Sequence, residues 1–362
     1  MRLTLARGLG CGACGILLAA CSSSGSATGL SVGGGSNAAA GSDGTQAVAG
    51  SAATAGTSAG GDGSCGVQSG SAGTTSGGTS TGTGGSIAGG AGGGSGGGAA
   101  GAPEMGIHTG CTPGTLSDSG VLQSRFDSTK VTAGGVEYFM QVNEWNTMAA
   151  QTMTYGGNFF FKMTTQEASV MTNGGPTGFP SMFIGANSKH STANSNLPKL
   201  VSSLTSVPTT WNWNDNGTLA DATNNSYNAT YDVWFSTNPL GEPNASGPSG
   251  GFLMVWLHKP ADAQPIGKVL YPAVTIPGVG GTWDVWIGMN GRVPCTSYVR
   301  TEDTLSLSYD LNDFIKDAVS SRTNGGTPVL QNAWYLTNIF TGFEIWRGGV
   351  NVETTSFCAI VN

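Results

Sequence analysis

Aromatic residues are absent from the first 105 positions of this chain. All nine Trp and all eight Tyr come after Met105. Between Ser22 and Glu104 the sequence is almost entirely Gly, Ser, Ala and Thr, a composition that cannot bury enough apolar area to offset the entropy of ordering the backbone. Only the last ~255 residues can build a core, a length suited to one domain. The reading that follows is a leader over 1–20, a disordered tether over 21–105 and one folded domain over 106–362. Such a Gly/Ser-rich tether spans on the order of 50 Å as a flexible coil.

The leader has its own logic. Arg2 and Arg7 precede an apolar run that ends in Leu18-Ala19-Ala20-Cys21. The run has the length of an export signal and is short for a membrane span. The Leu-Ala-Ala-Cys stretch resembles a bacterial lipobox, which implies lipid modification of Cys21 and anchoring outside the cytoplasm. In that compartment disulfides persist. Cys65, Cys111, Cys295 and Cys358 are then available for pairing, and four cysteines allow three connectivities.

Charge is sparse, with 14 basic against 21 acidic residues. Nucleic-acid binding needs clustered Lys and Arg, so it is excluded as an expectation, and a neutral partner fits better. His108, His190 and His258 are scattered and no cysteine pair has metal-ligand spacing, so no metal or cofactor is expected. Neither Asn228-Ala-Thr nor Asn244-Ala-Ser, both glycosylation sequons, carries weight in a bacterial exported protein.

After Cys111 short strand-like segments alternate with turn signals: 136–143, 157–164, 230–236, 251–258, 281–288, 305–310, 333–343 and 351–361. That pattern predicts an all-β sandwich. One segment, 310–322, places Leu311, Phe314, Ile315 and Val319 at helical spacing behind a capping Asp310, and predicts a single helix on the outer face of a sheet.

Successive strand residues point to opposite faces. In 251–258, Leu253, Val255 and Leu257 share one face and Phe252, Met254 and Trp256 the other. Asp232 pairs with Trp234 in this way, Asp284 with Trp286, and Glu344 with Trp346. Indole faces beside carboxylates suit a sugar cleft, because pyranose C–H faces stack on indole and carboxylates accept hydrogen bonds from hydroxyls.

Several segments, taken in order, resemble glycoside hydrolase family 12, the compact endo-β-1,4-glucanases and xyloglucanases. VNEWN (142–146) is similar to an NNxWG motif, FPSMFIGA (179–186) to YPSxFxG, and ATYDVWFS (229–236) to a SYDIWL-like strand. FLMVWL (252–257) is similar to EIMIWL; QPIG (264–267) and GTWDVWIGMNG (281–291) follow in place, and WYLTNIFTGFEIWRGG (334–349) resembles the family ending. The resemblance implies a concanavalin-like β-jelly-roll of two antiparallel sheets, a monomer, and a β-1,4-linked glucan as the partner. It also implies that Glu344 is the general acid/base and that Asp232 is the acid that tunes the nucleophile. Asn143 and Trp145 would hold and stack a sugar on the non-reducing side, with Met254 and Trp256 around the reacting ring.

At one position this chain departs from the pattern in a way that matters chemically. The family nucleophile belongs at the first residue of EIMIWL, which here is Phe252. Gly250 and Gly251 precede it, and the nearest upstream acid, Glu242, lies beyond Pro243 and Pro248. Val142 and Asn146 are smaller departures. Three readings stand at this level: hydrolysis by another route, with Asp232 as base on a water and Glu344 as acid; polysaccharide binding without turnover; and a relic domain in which Phe252 packs a vacant cleft. A water-mediated, inverting route needs a carboxyl separation of ~6.5 to 9.5 Å, against ~5 to 5.5 Å for the retaining one.

Overall fold

The computed structural model describes residues 108–145, 151–166, 175–241 and 247–362. The leader, the tether, Cys21, Cys65, Glu242, Asn244 and Asn146 lie outside them.

Fifteen strands form the two main sheets. In chain order they are β1 (Gly120–Leu122), β2 (Ser128–Ala133), β3 (Val136–Gln141), β4 (Gln151–Gly156), β5 (Phe159–Gln166), β6 (Ser181–Asn187), β7 (Pro208–Asn214) and β8 (Ala229–Ser236). They continue with β9 (Gly251–His258), β10 (Lys268–Ile276), β11 (Val279–Asn290), β12 (Val293–Arg300), β13 (Ser306–Asp310), β14 (Tyr335–Gly342) and β15 (Glu353–Ala359). The smaller sheet runs β1-β4-β5-β15-β7-β13. The larger runs β10-β11-β12-β9-β8-β14-β6-β3-β2, with His190–Ser191 and Lys199–Leu200 paired to β6 and β14. The expected sandwich is present, with one difference: β9 and β12 pair in parallel. In sequence they are separated by the β10–β11 hairpin, which forms the edge of the same sheet beyond β12.

Alternation decides what each sheet buries. Tyr138, Met140, Tyr231, Val233, Leu253, Val255 and Leu257 of the larger sheet meet Met153, Phe161, Trp211 and Phe357 of the smaller one in the inter-sheet core. The opposite face of the larger sheet carries a second buried cluster that includes Phe139, Phe183, Trp234, Phe252, Met254, Trp256 and Phe340. Each fully buried side chain of this size contributes about 1.5–3 kcal/mol.

One helix, α1 (Leu311–Ser321), begins where sequence places it. Asp310 caps it, accepting the Asn312 amide at 2.9 Å. Its position differs from the expected outer face. Phe314 sits edge-on to Trp283, Tyr298 and Tyr309 at centroid distances of 4.9, 4.8 and 5.4 Å, inside the inter-sheet core. Through Phe314 the helix joins β11 and β12 of the larger sheet to β13 of the smaller one.

His108, Asp310 and Asp313 gather at its start. His108 Nδ1 lies 2.7 Å from Asp313 Oδ2, and an Asp310 oxygen is taken by the amides of Val207 and Asn312, which accounts for the group as capping and chain-anchoring contacts. Cys111 and Cys358 form a disulfide that closes 247 residues of sequence. Cys295 is disulfide-bonded as well; the pairing of Cys65 lies outside the described residues. Among the described residues no helix is long and apolar enough to cross a membrane.

Candidate functional site

The second face of the larger sheet gathers most of the residues singled out from sequence. β8 supplies Asp232 and Trp234, and the antiparallel register sets Asp232 against Met254 and Trp234 against Phe252 on β9. On its other side Asp232 faces Phe340 and Trp234 faces Asn338 of β14. Phe252 therefore shares a face with Asp232, Trp234 and Met254. It is 3 % exposed, with its ring edge-on to Trp234 at 5.5 Å.

Each carboxyl group is held by one oxygen and buried without a partner at the other. The Trp234 indole N–H donates to Asp232 Oδ2 at 2.7 Å. Glu344 follows β14 in an extended segment pinned by Asn228. The Asn228 amide side chain donates to Glu344 Oε2 at 2.5 Å, its Oδ1 accepts the Glu344 backbone N–H at 2.8 Å, and its own backbone N–H donates to the Glu344 carbonyl at 3.0 Å. Asp232 Oδ1 and Glu344 Oε1 have no hydrogen-bond partner among the described residues.

Burial sets the electrostatics. Desolvation pushes the Asp232 carboxyl up to about 7 against the opposing Trp234 hydrogen bond. Desolvation first, and then the charge of Asp232, raises Glu344 well above the usual carboxylate range, with Asn228 opposing. Burial thus holds Glu344 toward its protonated, proton-donating form, and Asp232 is poised to exchange a proton near neutral pH. The phenyl group of Phe252 can neither accept a proton nor attack an anomeric carbon.

The remaining predicted residues lie at either side. Trp256 meets Trp346 at 6.2 Å, and Met254 is fully buried beside them. Asn143 adopts a left-handed backbone at φ 49°, a conformation Asn tolerates better than most residues. Its carbonyl accepts from Phe179 at 2.9 Å, the Trp145 amide donates to the Thr177 carbonyl at 3.0 Å, and the Thr177 amide donates to the Ile345 carbonyl at 2.6 Å. Gly178 bridges both Glu144 and Ile345. The Asn143–Trp145 segment and the Glu344 segment are thereby locked to one intervening stretch, Thr177 to Phe179. A Cβ on Gly178 would lie 3.1 Å from the Asn143 carbonyl and Glu144 Cα, so glycine allows this close approach.

Sequence reasoning did not find Asn228, Gly178 or Glu144. Asn228 reads there as a sequon, and only its position one residue ahead of the ATYDVWFS strand hinted at more. Glu144 is fully buried, with Arg125 Nε 3.9 Å from Oε2; desolvation pushes its carboxyl up to about 7, with Arg125 opposing.

Comparison with known proteins places this geometry. The model of the family described as glycosyl hydrolase family 12 matches residues 136–362. Over 159 residues the chain is 33% identical to the probable xyloglucan-specific endo-beta-1,4-glucanase A of Aspergillus terreus, covering 44% of this chain and 57% of that protein. Over 167 residues it is 29% identical to the probable cellulase Cel12b of Mycobacterium tuberculosis, covering 46% of this chain and 98% of that one. The fold matches the structure of endoglucanase cel12A from Rhodothermus marinus with a TM-score of 0.57 and 30% identity, over 67% of this chain and 99% of the other. With a family match across most of the chain and the jelly-roll architecture in agreement, this chain belongs to glycosyl hydrolase family 12.

Proposed function

We propose that this domain binds β-1,4-linked glucan chains in the cleft of the larger sheet and does not cleave them by the double displacement that a carboxylate nucleophile permits. The observation that carries this reading is Phe252, a buried phenyl opposite Trp234, two residues along β9 from Met254 of the Asp232–Met254 pair and on the same face. The rest of the equipment is kept: Glu344 as the acid, Asp232 beside it, Asn143 and Trp145 on one side, Met254 and Trp256 on the other. Relatives named as cellulase and xyloglucan-specific glucanase support a β-glucan partner. Lipid attachment at Cys21 and the tether would hold this monomeric binder at the outside of the cell envelope, where polysaccharide is met.

A second reading has its own support. Asp232 Oδ1 has no hydrogen-bond partner among the described residues and its carboxyl sits at about 7, a value suited to a base acting on water while Glu344 protonates the leaving oxygen. That route inverts the anomeric centre.

Affinity electrophoresis in gels containing barley β-glucan or xyloglucan, run beside an assay of reducing-sugar release, tests the proposal. Retarded migration without sugar release is expected. Release that disappears in Glu344→Gln would favour the inverting route, and no retardation in either gel would reject the glucan reading.

A further inference from the structure

Cys295 stands beside the position where this chain departs from its family. The parallel register sets it against Phe252, and it belongs to the same buried cluster as Phe252, Trp234 and Met254. Its sulfur therefore rises from the face that carries Asp232, one strand spacing, about 5 Å, from β9. The Ser297 hydroxyl, two residues along that face, lies 3.9 Å from Cys295 Sγ.

This cysteine is disulfide-bonded, and cysteine arithmetic narrows its partner. The chain has seven cysteines, and Cys111 and Cys358 are joined to each other. The partner of Cys295 is then one of Cys11, Cys14, Cys21 and Cys65, all of which precede the described residues. On the export reading of the N-terminus, Cys11 and Cys14 leave with the leader and Cys21 takes the lipid, which leaves Cys65 in the tether.

A disulfide fixes position as well as connection. The Cα atoms of its two residues stand about 4.4–6.8 Å apart. β9 and β11 flank Cys295 within the sheet, so the backbone of its partner has to lie over the face from which the sulfur rises. Reach is sufficient. The His108 amide is bonded to Gly278 at the head of β11, and Gly288 of β11 pairs with Cys295, about 30 Å along the strand at the usual rise. A coil of roughly 40 Gly/Ser-rich residues, the length between Cys65 and His108, spans about 35 Å. Burial agrees with a covering segment: Asp232, Trp234, Phe252 and Met254 are all 3% exposed or less, on a face whose proposed ligand is a polymer. A phenyl ring at 252 also suits a disulfide neighbour, since sulfur packs favourably at aromatic edges.

We propose that Cys65 is the partner of Cys295 and that the tether is thereby strapped over the β9–β12 side of the cleft, where it competes with a glucan chain for the strip beside Phe252 and Trp234. The competition rests on the glucan-binding reading above; the strap itself does not.

Two measurements on the full chain, exported and purified without reductant, test this. Non-reducing peptide mapping is expected to recover Cys65 and Cys295 in one linked peptide; Cys295 recovered as a free thiol, or linked elsewhere, overturns the proposal. Cys65→Ser then removes the link from within the tether and leaves Cys111–Cys358 in place, with far-UV circular dichroism to verify the fold. The variant is expected to show stronger acrylamide quenching of tryptophan fluorescence, as Trp234 becomes accessible. In calorimetric titration it is expected to bind cellohexaose about tenfold more tightly than wild type, the gain for a strap that leaves the cleft free about a tenth of the time. Equal affinity, with both proteins binding, overturns the proposal and leaves the glucan-binding reading standing. If neither protein binds, the glucan-binding reading fails; stronger quenching in the variant would then uphold the strap, and unchanged quenching would sink it too.

Discussion

The indole N–H of Trp234 donates to Asp232 Oδ2 at 2.7 Å, and the same ring stands edge-on to Phe252. One side chain therefore holds the acid that would attend a nucleophile and packs the group that has replaced it. Removing the indole donor while keeping an aromatic ring, as in Trp234→Phe, leaves Asp232 with no donor among those described. A loss of about 1–3 kcal/mol in stability is expected, the cost of an unsatisfied buried polar group, read from the midpoint of urea unfolding.

Stability should fall as pH rises from acid to neutral. Asp232 goes from 3.8 to about 7, Glu144 from 4.5 to about 7, and Glu344 is raised well above its ordinary value, each chiefly by burial. Between the unfolded and folded values the native state holds more protons than the unfolded chain, so the slope of unfolding free energy with pH is negative there. The stabilisation is fully present below about pH 4 and lost as pH climbs through about 7. Thermal melts between pH 5 and 8 should show the decline, at roughly 2–4 °C per kcal/mol for a domain of this size. Glu144→Gln removes one titrating group and should flatten the curve; an unchanged slope would show that Glu144 is not protonated in the fold.

Asn228 should matter as much as the acid it holds. It makes three hydrogen bonds to Glu344, through its side-chain N–H and oxygen and through its backbone N–H. Asn228→Ala removes the two side-chain bonds and is expected to cost about 1–3 kcal/mol. Asn228→Asp places a second buried acid beside Glu344, whose ionisation burial opposes, and should cost more at neutral pH than at pH 4. Denaturation curves at the two pH values separate these outcomes.

Much of this arrangement was legible in the sequence because strand alternation is local. The alternation in GFLMVWLH assigned Phe252, Met254 and Trp256 to one face and Leu253, Val255 and Leu257 to the other, and the two buried clusters divide the same way. The start of the helix was readable from Asp310 for the same reason. Its layer was not, since that depends on the contacts of Phe314 with Trp283, Tyr298 and Tyr309 on three different strands. The parallel β9–β12 pair, the Gly178 bridge between Glu144 and Ile345, and the hold of Asn228 on Glu344 join residues far apart in sequence, and periodicity carries no information about such partners. The chemical oddity was the plainest sequence signal: a phenyl at the head of a strand whose neighbours all fit a glucan cleft.

The central claim is that the cleft is intact and position 252 alone withholds the covalent route. Reducing-sugar release from barley β-glucan by purified Phe252→Glu, beside the wild type and the double variant Phe252→Glu/Glu344→Gln, tests it most directly. Release is expected from Phe252→Glu, at least ~10²-fold above wild type given the usual contribution of a positioned catalytic group, and none from the double variant. A folded Phe252→Glu protein that binds β-glucan and releases no more sugar than wild type would contradict the account.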